Sequence, residues 1–501
     1  LRLIGTELKR ICAQKFYICR KINNMKNTTL LLLGLSMVTI QMKAQAKKWT
    51  LEECVNHAME KNISIKQSIL DKQVAEISKK DAWGNFLPTI NGQASHSWNV
   101  GLNQNITTGL LENQTVQYTS AALNVGVDVY KGLQHQNQLR KANLSIIASQ
   151  YQLQKMQEDV SLNVVNAYLQ ILFNKENLKV QTKQLAYDTK QMERTQELVD
   201  AGVVPKGDLL DVKATVMSDN QKLIAGENAL LISKLSLAQL LQLDDFQNFD
   251  IADSETPVQN SSVLLEDPKN IFSKAKETRA NIKIAEANVS IAEKDLSIAR
   301  GKYHPSIQGF YSFSTRAAYA DRITGYQLDT TNPTLPTQYF TENGLQVLQN
   351  NYRPILGSPE PIFDQFSNNK GQNFGFSLNI PLLNGLSVRN NVERSKVALE
   401  RSKIALEQQE LDLERTVYTA YTDTKGSLKS YEAAVATLEA RQESFNYAKE
   451  RYEVGLMNVF DFTQAQTLFV NAQSEVLRTK YDYIFRTKIL EFYFGLPIIQ
   501  K

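Results

Sequence analysis

The sequence predicts a mainly helical chain that also carries membrane β-structure: long coiled-coil helical hairpins joined to four strands that contribute to a closed barrel. Three observations lead there. The chain is written twice, helical periodicity gives way at matching places to short alternating runs, and no stretch after the leader is apolar enough for a transmembrane helix. Sliding 62–97 onto 279–314, an offset of 217, aligns Ile65 with Ile282, Gly84 with Gly301 and Pro88 with Pro305. An offset of 253 aligns Gly132-Leu133 with Gly385-Leu386, Ala167-Tyr168 with Ala420-Tyr421, Gly202 with Gly455 and Asp208 with Asp461. The offsets differ by 253 − 217 = 36, so the second copy carries 36 extra residues, placed after Ser314.

Residues 1–46 read as a leader. From Met25 a basic start (Lys26) precedes an apolar run over 29–40 and then Ala44-Gln45-Ala46, which is the pattern of a secretory signal over 25–46. Residues 1–24 fit either a start codon placed too early or an extended leader. The apolar run is too short to span a bilayer. Without the leader the chain has 48 basic and 51 acidic residues, so the basic balance of the full sequence disappears and nothing points to nucleic acid. Cys54 is then the lone cysteine, which excludes a disulfide framework and a multi-thiol metal site. No cysteine directly follows the cleavage point, so a lipid-modified N-terminus is unsupported.

Taken in order, the first repeat (47–243) opens with a helix over 50–86 that stops at Leu87-Pro88, because proline cannot continue a helix and drives its predecessor toward extended geometry. Strands follow at about 88–100 and 117–130, the second with Leu123, Val125, Val127 and Val129 alternating with polar or small residues. A helix over 134–200, a tight turn and a helix over 207–243 complete the copy. Residues 244–265, with Asp244-Asp245, Pro257 and Ser261-Ser262, read as a linker. The second repeat (266–501) has the same order: a helix to 303, strands at about 305–317 and 372–383, and helices over 387–453 and 459–495. In its long helix Val397, Ile404, Leu411 and Tyr418 recur every seven residues, as do Tyr431, Leu438, Phe445 and Tyr452, the spacing of a coiled-coil seam. Each long helix is about 100 Å at the helical rise. Two of the shorter helices end to end nearly match one long one, which suits the wall of a tube.

Exported strands with one apolar and one polar face suit a barrel between lipid and water, although half-buried strands of a soluble sandwich would look alike one at a time. Four strands cannot close a barrel, and a sheet in lipid cannot leave its edges unpaired. Several identical chains must close it. Two would give eight strands and three would give twelve, and twelve leaves room for water in the lumen.

Enzyme chemistry finds no foothold, and no cofactor is expected. Of the four histidines only His57 lies near a second candidate ligand, Cys54, and a phosphate-binding glycine loop is absent. A periplasmic coiled-coil scaffold or adaptor without a pore is the alternative, since it would share the leader and the long hairpins. It gives no reason for paired strands inserted identically in both copies.

The order and duplication of Leu51-Glu52-Glu53 with Ala58 and Asn62, the Pro88 and Pro305 junctions, the two Ala-Tyr pairs, the two glycine turns and Phe494-Gly495-Leu496 resemble the TolC family of outer-membrane efflux proteins. The resemblance covers nearly all of the mature chain. It implies a homotrimer whose twelve-stranded barrel sits in outer-membrane lipid above a periplasmic α-barrel. It also implies end-on docking to a periplasmic adaptor (membrane fusion protein) and an inner-membrane pump of RND or ABC type. The docking tips would be Gly202, Val203, Val204 and Pro205, with Gly455, Leu456, Met457 and Asn458. The implied periplasmic gate falls on Asp208, Asp211, Tyr452 and Asp461, with Gln464 where some members carry a second acid. For Asp461 a plainer reading stands beside the gate: Asn458 three residues earlier makes a helix N-cap with an acid in the first turn. The glycines read equally well as positive-φ helix stops. The extra residues make 316–370 an enlarged extracellular loop, solvated and variable, or a lid or receptor site.

Overall fold

The computed structural model describes residues 48–244, 248–253 and 261–497, so the leader expected over 1–46 lies outside the described residues. None of the described helices is long and apolar enough to cross a membrane. The first copy comprises β1 (Lys48–Trp49), α1 (Leu51–Lys61), α2 (Ile63–Gly84), β2 (Thr89–Gln104), β3 (Leu111–Lys131), α3 (Gln134–Asp200) and α4 (Lys206–Leu241). β4 (Asp250–Ile251) and a 3-10 turn (Ser262–Leu265) lead into the second copy. There α5 (Pro268–Thr278), α6 (Ala280–Gly301) and β5 (Ser306–Ala318) precede β6 (Arg322–Leu328), β7 (Thr334–Phe340), β8 (Gln346–Asn350), β9 (Tyr352–Gly357) and α7 (Ile362–Asn368). β10 (Gly371–Asn379), α8 (Ser387–Glu453) and α9 (Val459–Phe494) complete it.

Three expectations need correction. The helices expected as continuous over 50–86 and 266–303 are each broken at one residue, Asn62 and Arg279, which correspond at the 217 offset. Both take an extended ψ, 131° and 130°. Tertiary partners hold the breaks. The Asn62 amide donates to the Leu240 carbonyl at 3.1 Å, and the Arg279 guanidinium lies 4.0 Å from the Phe492 ring centroid and 3.7 Å from Glu158. The linker is partly structured, because β4 pairs parallel with β1 and Lys175 bridges Asp250 (3.0 Å) and Asp253 (2.8 Å). Finally, 316–370 is not a plain loop. β6 pairs with β9 and β7 with β8, so the addition is one hairpin nested in another, running over 322–357, a span of 36 residues.

The chain forms two compact units, and each draws segments from both copies. Within the described residues the first holds 48–62, 163–244, 248–253 and 430–485, and the second holds 63–162, 261–429 and 486–497. Cys54, Ala58, Val164, Ile171, Leu237, Leu241 and Ile251 are buried in the first. Val263, Ile271, Ala275, Ile282, Leu413, Val417 and Leu490 form one core of the second. The duplicated Ala-Tyr pairs have the same task in each. Tyr168 donates its hydroxyl to the Ala252 carbonyl (3.1 Å) and Tyr421 donates to the Leu264 carbonyl (3.4 Å), so each long helix pins the segment beside the start of a repeat.

The second unit holds a four-stranded antiparallel sheet in the order β2-β3-β5-β10. All four helix-to-strand junctions fall at one end of it, and the β2–β3 turn and the nested hairpins at the other. The duplicated Gly-Leu junctions carry two consecutive left-handed residues, φ +57° and +58° at Gly132-Leu133 and +58° and +64° at Gly385-Leu386. This turns each strand sharply into its helix. Only the first junction is crowded. A Cβ on Gly132 would sit 2.1 Å from the Gly301 carbonyl oxygen, whereas one on Gly385 meets nothing within 4 Å. Gly132→Ala is therefore expected to destabilise by about 3 kcal/mol, overpacking added to strain, and Gly385→Ala by about 1 kcal/mol from strain alone. Thermal unfolding of the two purified variants checks the asymmetry, and equal losses would contradict it.

Candidate functional site

Two helix-hairpin tips in the first unit are built on one plan at their incoming ends. α3 stops because Gly202 takes φ +72°, which lets its N–H donate to the Val199 carbonyl (3.0 Å) and the Val203 N–H to the Leu198 carbonyl (2.9 Å). α8 ends identically, with Gly455 at φ +77°, its N–H on Tyr452 (3.1 Å) and the Leu456 N–H on Arg451 (2.8 Å). These paired bonds satisfy carbonyls that the helix ends leave free. The tips expose apolar side chains: Val203, Leu210, Val454, Leu456 and Phe460 are 66–71% open to solvent. Val204 and Met457 are half-buried, and Pro205 and Asn458 are exposed.

The outgoing ends differ. Pro205 caps α4 without a side-chain bond, leaving half-buried Asp208 to face the helix N-terminus from its first turn. At the second tip Asn458 Oδ1 accepts the Asp461 N–H (2.8 Å) while its amide donates to the Asp461 carboxylate (2.9 Å). The expected cap at Asp461 is thus present. Tyr452 stacks on Phe462 with centroids 4.6 Å apart, and its hydroxyl accepts from Gln191 at 3.1 Å, so it ties α8 to α9 and α3. Phe445 continues the aromatic stack onto Phe469 at 5.2 Å. Asp211 and Gln464 are exposed on α4 and α9. Among the described residues no cluster of His, Cys, Asp or Glu could hold a metal ion.

In the second unit the sheet separates its faces by register. Phe374, Tyr311, Val125 and Ile90 stand opposite one another across the four strands, and one residue along each strand runs the row Asn373, Ser312, Asn124 and Asn91. Ser312 donates to Asn124 Oδ1 at 2.8 Å on this polar face. The apolar face stays open, with Phe374 and Phe376 about three-quarters exposed (75% and 77%). Among the described residues the outer edges of β2 and β10 have no strand partner.

Further apolar stripes lack cover among the described residues. In the second unit Val397, Ile404 and Leu411 of the seam read from sequence are more than half exposed, as are Leu70, Val74 and Ile77 on α2. In the first, Leu210, Met217, Ile224 and Leu231 on α4 recur every seven residues and are 51–66% exposed. Sequence reasoning missed this last stripe, although its heptad was there to read. Gln191 and Phe462, which hold Tyr452, carried no local signal.

Comparison with known proteins gives consistent matches. The family described as outer membrane efflux protein matches residues 54–242 and 271–495. Outer membrane protein TolC of Escherichia coli (strain K12) is 22% identical over 468 residues, covering 92% of this chain and 84% of its own. Among solved structures, a membrane protein from Pseudomonas aeruginosa superposes with TM-score 0.71 at 18% identity, covering 89% of this chain and 90% of that one. The CmeC outer membrane channel of Campylobacter jejuni superposes with TM-score 0.68 at 17% identity, covering 90% and 87%.

The unequal caps generate a prediction. Asn458→Ala is expected to cost about 1 kcal/mol at the start of α9. Amide exchange at 459–463 is then faster, with exchange at 206–210 unchanged; an unaltered rate at 459–463 would remove the cap.

Proposed function

Because this chain belongs to the outer membrane efflux protein family and so serves as the outer-membrane channel of an efflux system, we propose that three copies close one twelve-stranded barrel and one tube of helices. The observation that carries this reading is the sheet with two unpaired edges and a continuous apolar face. Unpaired backbone groups in hydrocarbon cost several kcal/mol each, so β2 of one copy pairs with β10 of the next until the ring closes. The apolar row meets lipid and the asparagine and serine row faces water. Three copies rather than two leave an aqueous lumen. The heptad stripes on α4 and α8 and the apolar face of α2 are then covered by neighbouring copies, in seams of the coiled-coil kind. The two repeats, 47–243 and 266–501, are read as the duplicated building unit, each giving two strands and one hairpin.

The exposed tips, 202–205 and 455–458, are the surfaces offered to a periplasmic adaptor, and through it to an inner-membrane pump of the RND or ABC type. The conduit itself is passive. Asp208, Asp211, Tyr452, Asp461 and Gln464 lie on the helices that would have to part there. Asp461 is held by its cap, so any gating role is added to that bond. The nested hairpins lie at the end of the sheet remote from the helices, which supports reading them as the extracellular end.

Leu456→Glu is expected to abolish export while leaving detergent-stable trimers intact, and normal drug resistance in cells carrying it would remove the docking surface. Asp461→Ala is expected to raise the conductance of the purified channel in planar bilayers. Unchanged conductance would reduce Asp461 to a cap. A chain released from membranes without detergent would favour the pore-free scaffold.

A further inference from the structure

Three helices of the first unit meet at a layer of buried polar side chains that neither the pore nor the tips explain. Asp188 on α3 is 3% exposed, and both its oxygens are taken: Oδ1 accepts from Gln466 Nε2 of α9 and Oδ2 from Gln184 Nε2 one turn earlier, each at 2.6 Å. Asp219 on α4 is 5% exposed, and its Oδ1 accepts from Lys222 Nζ at 2.9 Å. Its Oδ2 is shut away from solvent with no nitrogen donor, while the carboxyl is within hydrogen-bond reach of Asp188. Two ionised carboxylates in such contact would repel. One proton between them gives Asp219 Oδ2 the donor it lacks.

We propose that Asp188 and Asp219 share a single proton, and that this proton fastens α3, α4 and α9 together until rising pH removes it. Lys222 donates to Asp219, whereas Asp188 accepts from two side-chain amides. The other groups facing the layer are Tyr187 and Gln191 of α3, the Glu475–Arg478 ion pair of α9, and Arg194 of α3 with Tyr452 and Glu453 of α8, which border Tyr187. Burial first, and then the hydrogen bond with Asp219, push the Asp188 carboxyl up to about 7 from an ordinary 3.8. Because the pKa is raised in the folded state, the stabilisation is complete below the ordinary carboxylate value and is lost as pH climbs through about 7. A cavity of about 740 Å³ bordered by Gln184, Asp219, Lys222 and Gln466 gives solvent a route to the pair without unfolding. Along α3 the fastener lies 14 residues before Gly202, about 21 Å from the tip.

The test is amide exchange on the purified full-length protein between about pH 5 and about pH 8, corrected for base catalysis. Wild-type exchange at 184–192, 215–223 and 463–470 is expected to rise by about tenfold per pH unit up to about pH 7 and then level off. Asp188→Asn and Asp219→Asn each install a permanent amide donor at the pair, so both are expected to show a flat profile. A flat wild-type profile, or the same rise in a folded variant of either kind, overturns the proposal, and either variant alone suffices should the other not fold. Bilayer current recorded over the same pH range keeps the channel reading separate. Absence of any current would count against the pore and leave the exchange result standing.

Discussion

An unsatisfied backbone amide has nowhere to turn in hydrocarbon, and this rule governs the molecule. The four strands of one chain pair into a sheet that ends in two open edges, β2 and β10. Its cross-strand rows separate Phe374, Tyr311, Val125 and Ile90 from Asn373, Ser312, Asn124 and Asn91, so each face already suits a different solvent. A sheet so divided is incomplete as a monomer. Association is a condition of folding into the membrane, and the uncovered apolar stripes on α2, α4 and α8 are the helical counterpart of the same incompleteness.

Duplication explains which residues recur. Several pairs that recur at a fixed offset have one backbone or packing task in both copies: the prolines that start strands, the Gly-Leu junctions with two left-handed residues, the helix-stopping glycines, and the tyrosines that pin the start of a repeat. Surroundings distinguish the copies. Gly132 is pressed against Gly301 while Gly385 stands in open space, and the first tip relies on Pro205 where the second has an Asn458–Asp461 clasp. Compact units cut across the repeats because each core needs segments from both.

Much of this was legible in the residues. Both long helices run over the residues read from periodicity, and the strands start within a residue or two of Pro88 and Pro305 because proline acts locally. Features set by distant partners were not legible. The helix breaks at Asn62 and Arg279 depend on Leu240, Phe492 and Glu158, and nothing in a local window forbids a helix through asparagine or arginine. Tyr452 stands out in the sequence, but its partners Gln191 and Phe462 become neighbours only when three helices assemble. The nested hairpins over 322–357 leave only a weak strand signal, because prolines and glycines interrupt their alternation.

That hairpin pair has a use of its own. β6 and β9 pair with each other and with no strand of the four-stranded sheet, so the addition begins and ends at neighbouring points and leaves the β5–β10 ladder in register. It is a detachable crown. Residues can be added, exchanged or removed within it without disturbing the strand pairing on which closure of the sheet depends.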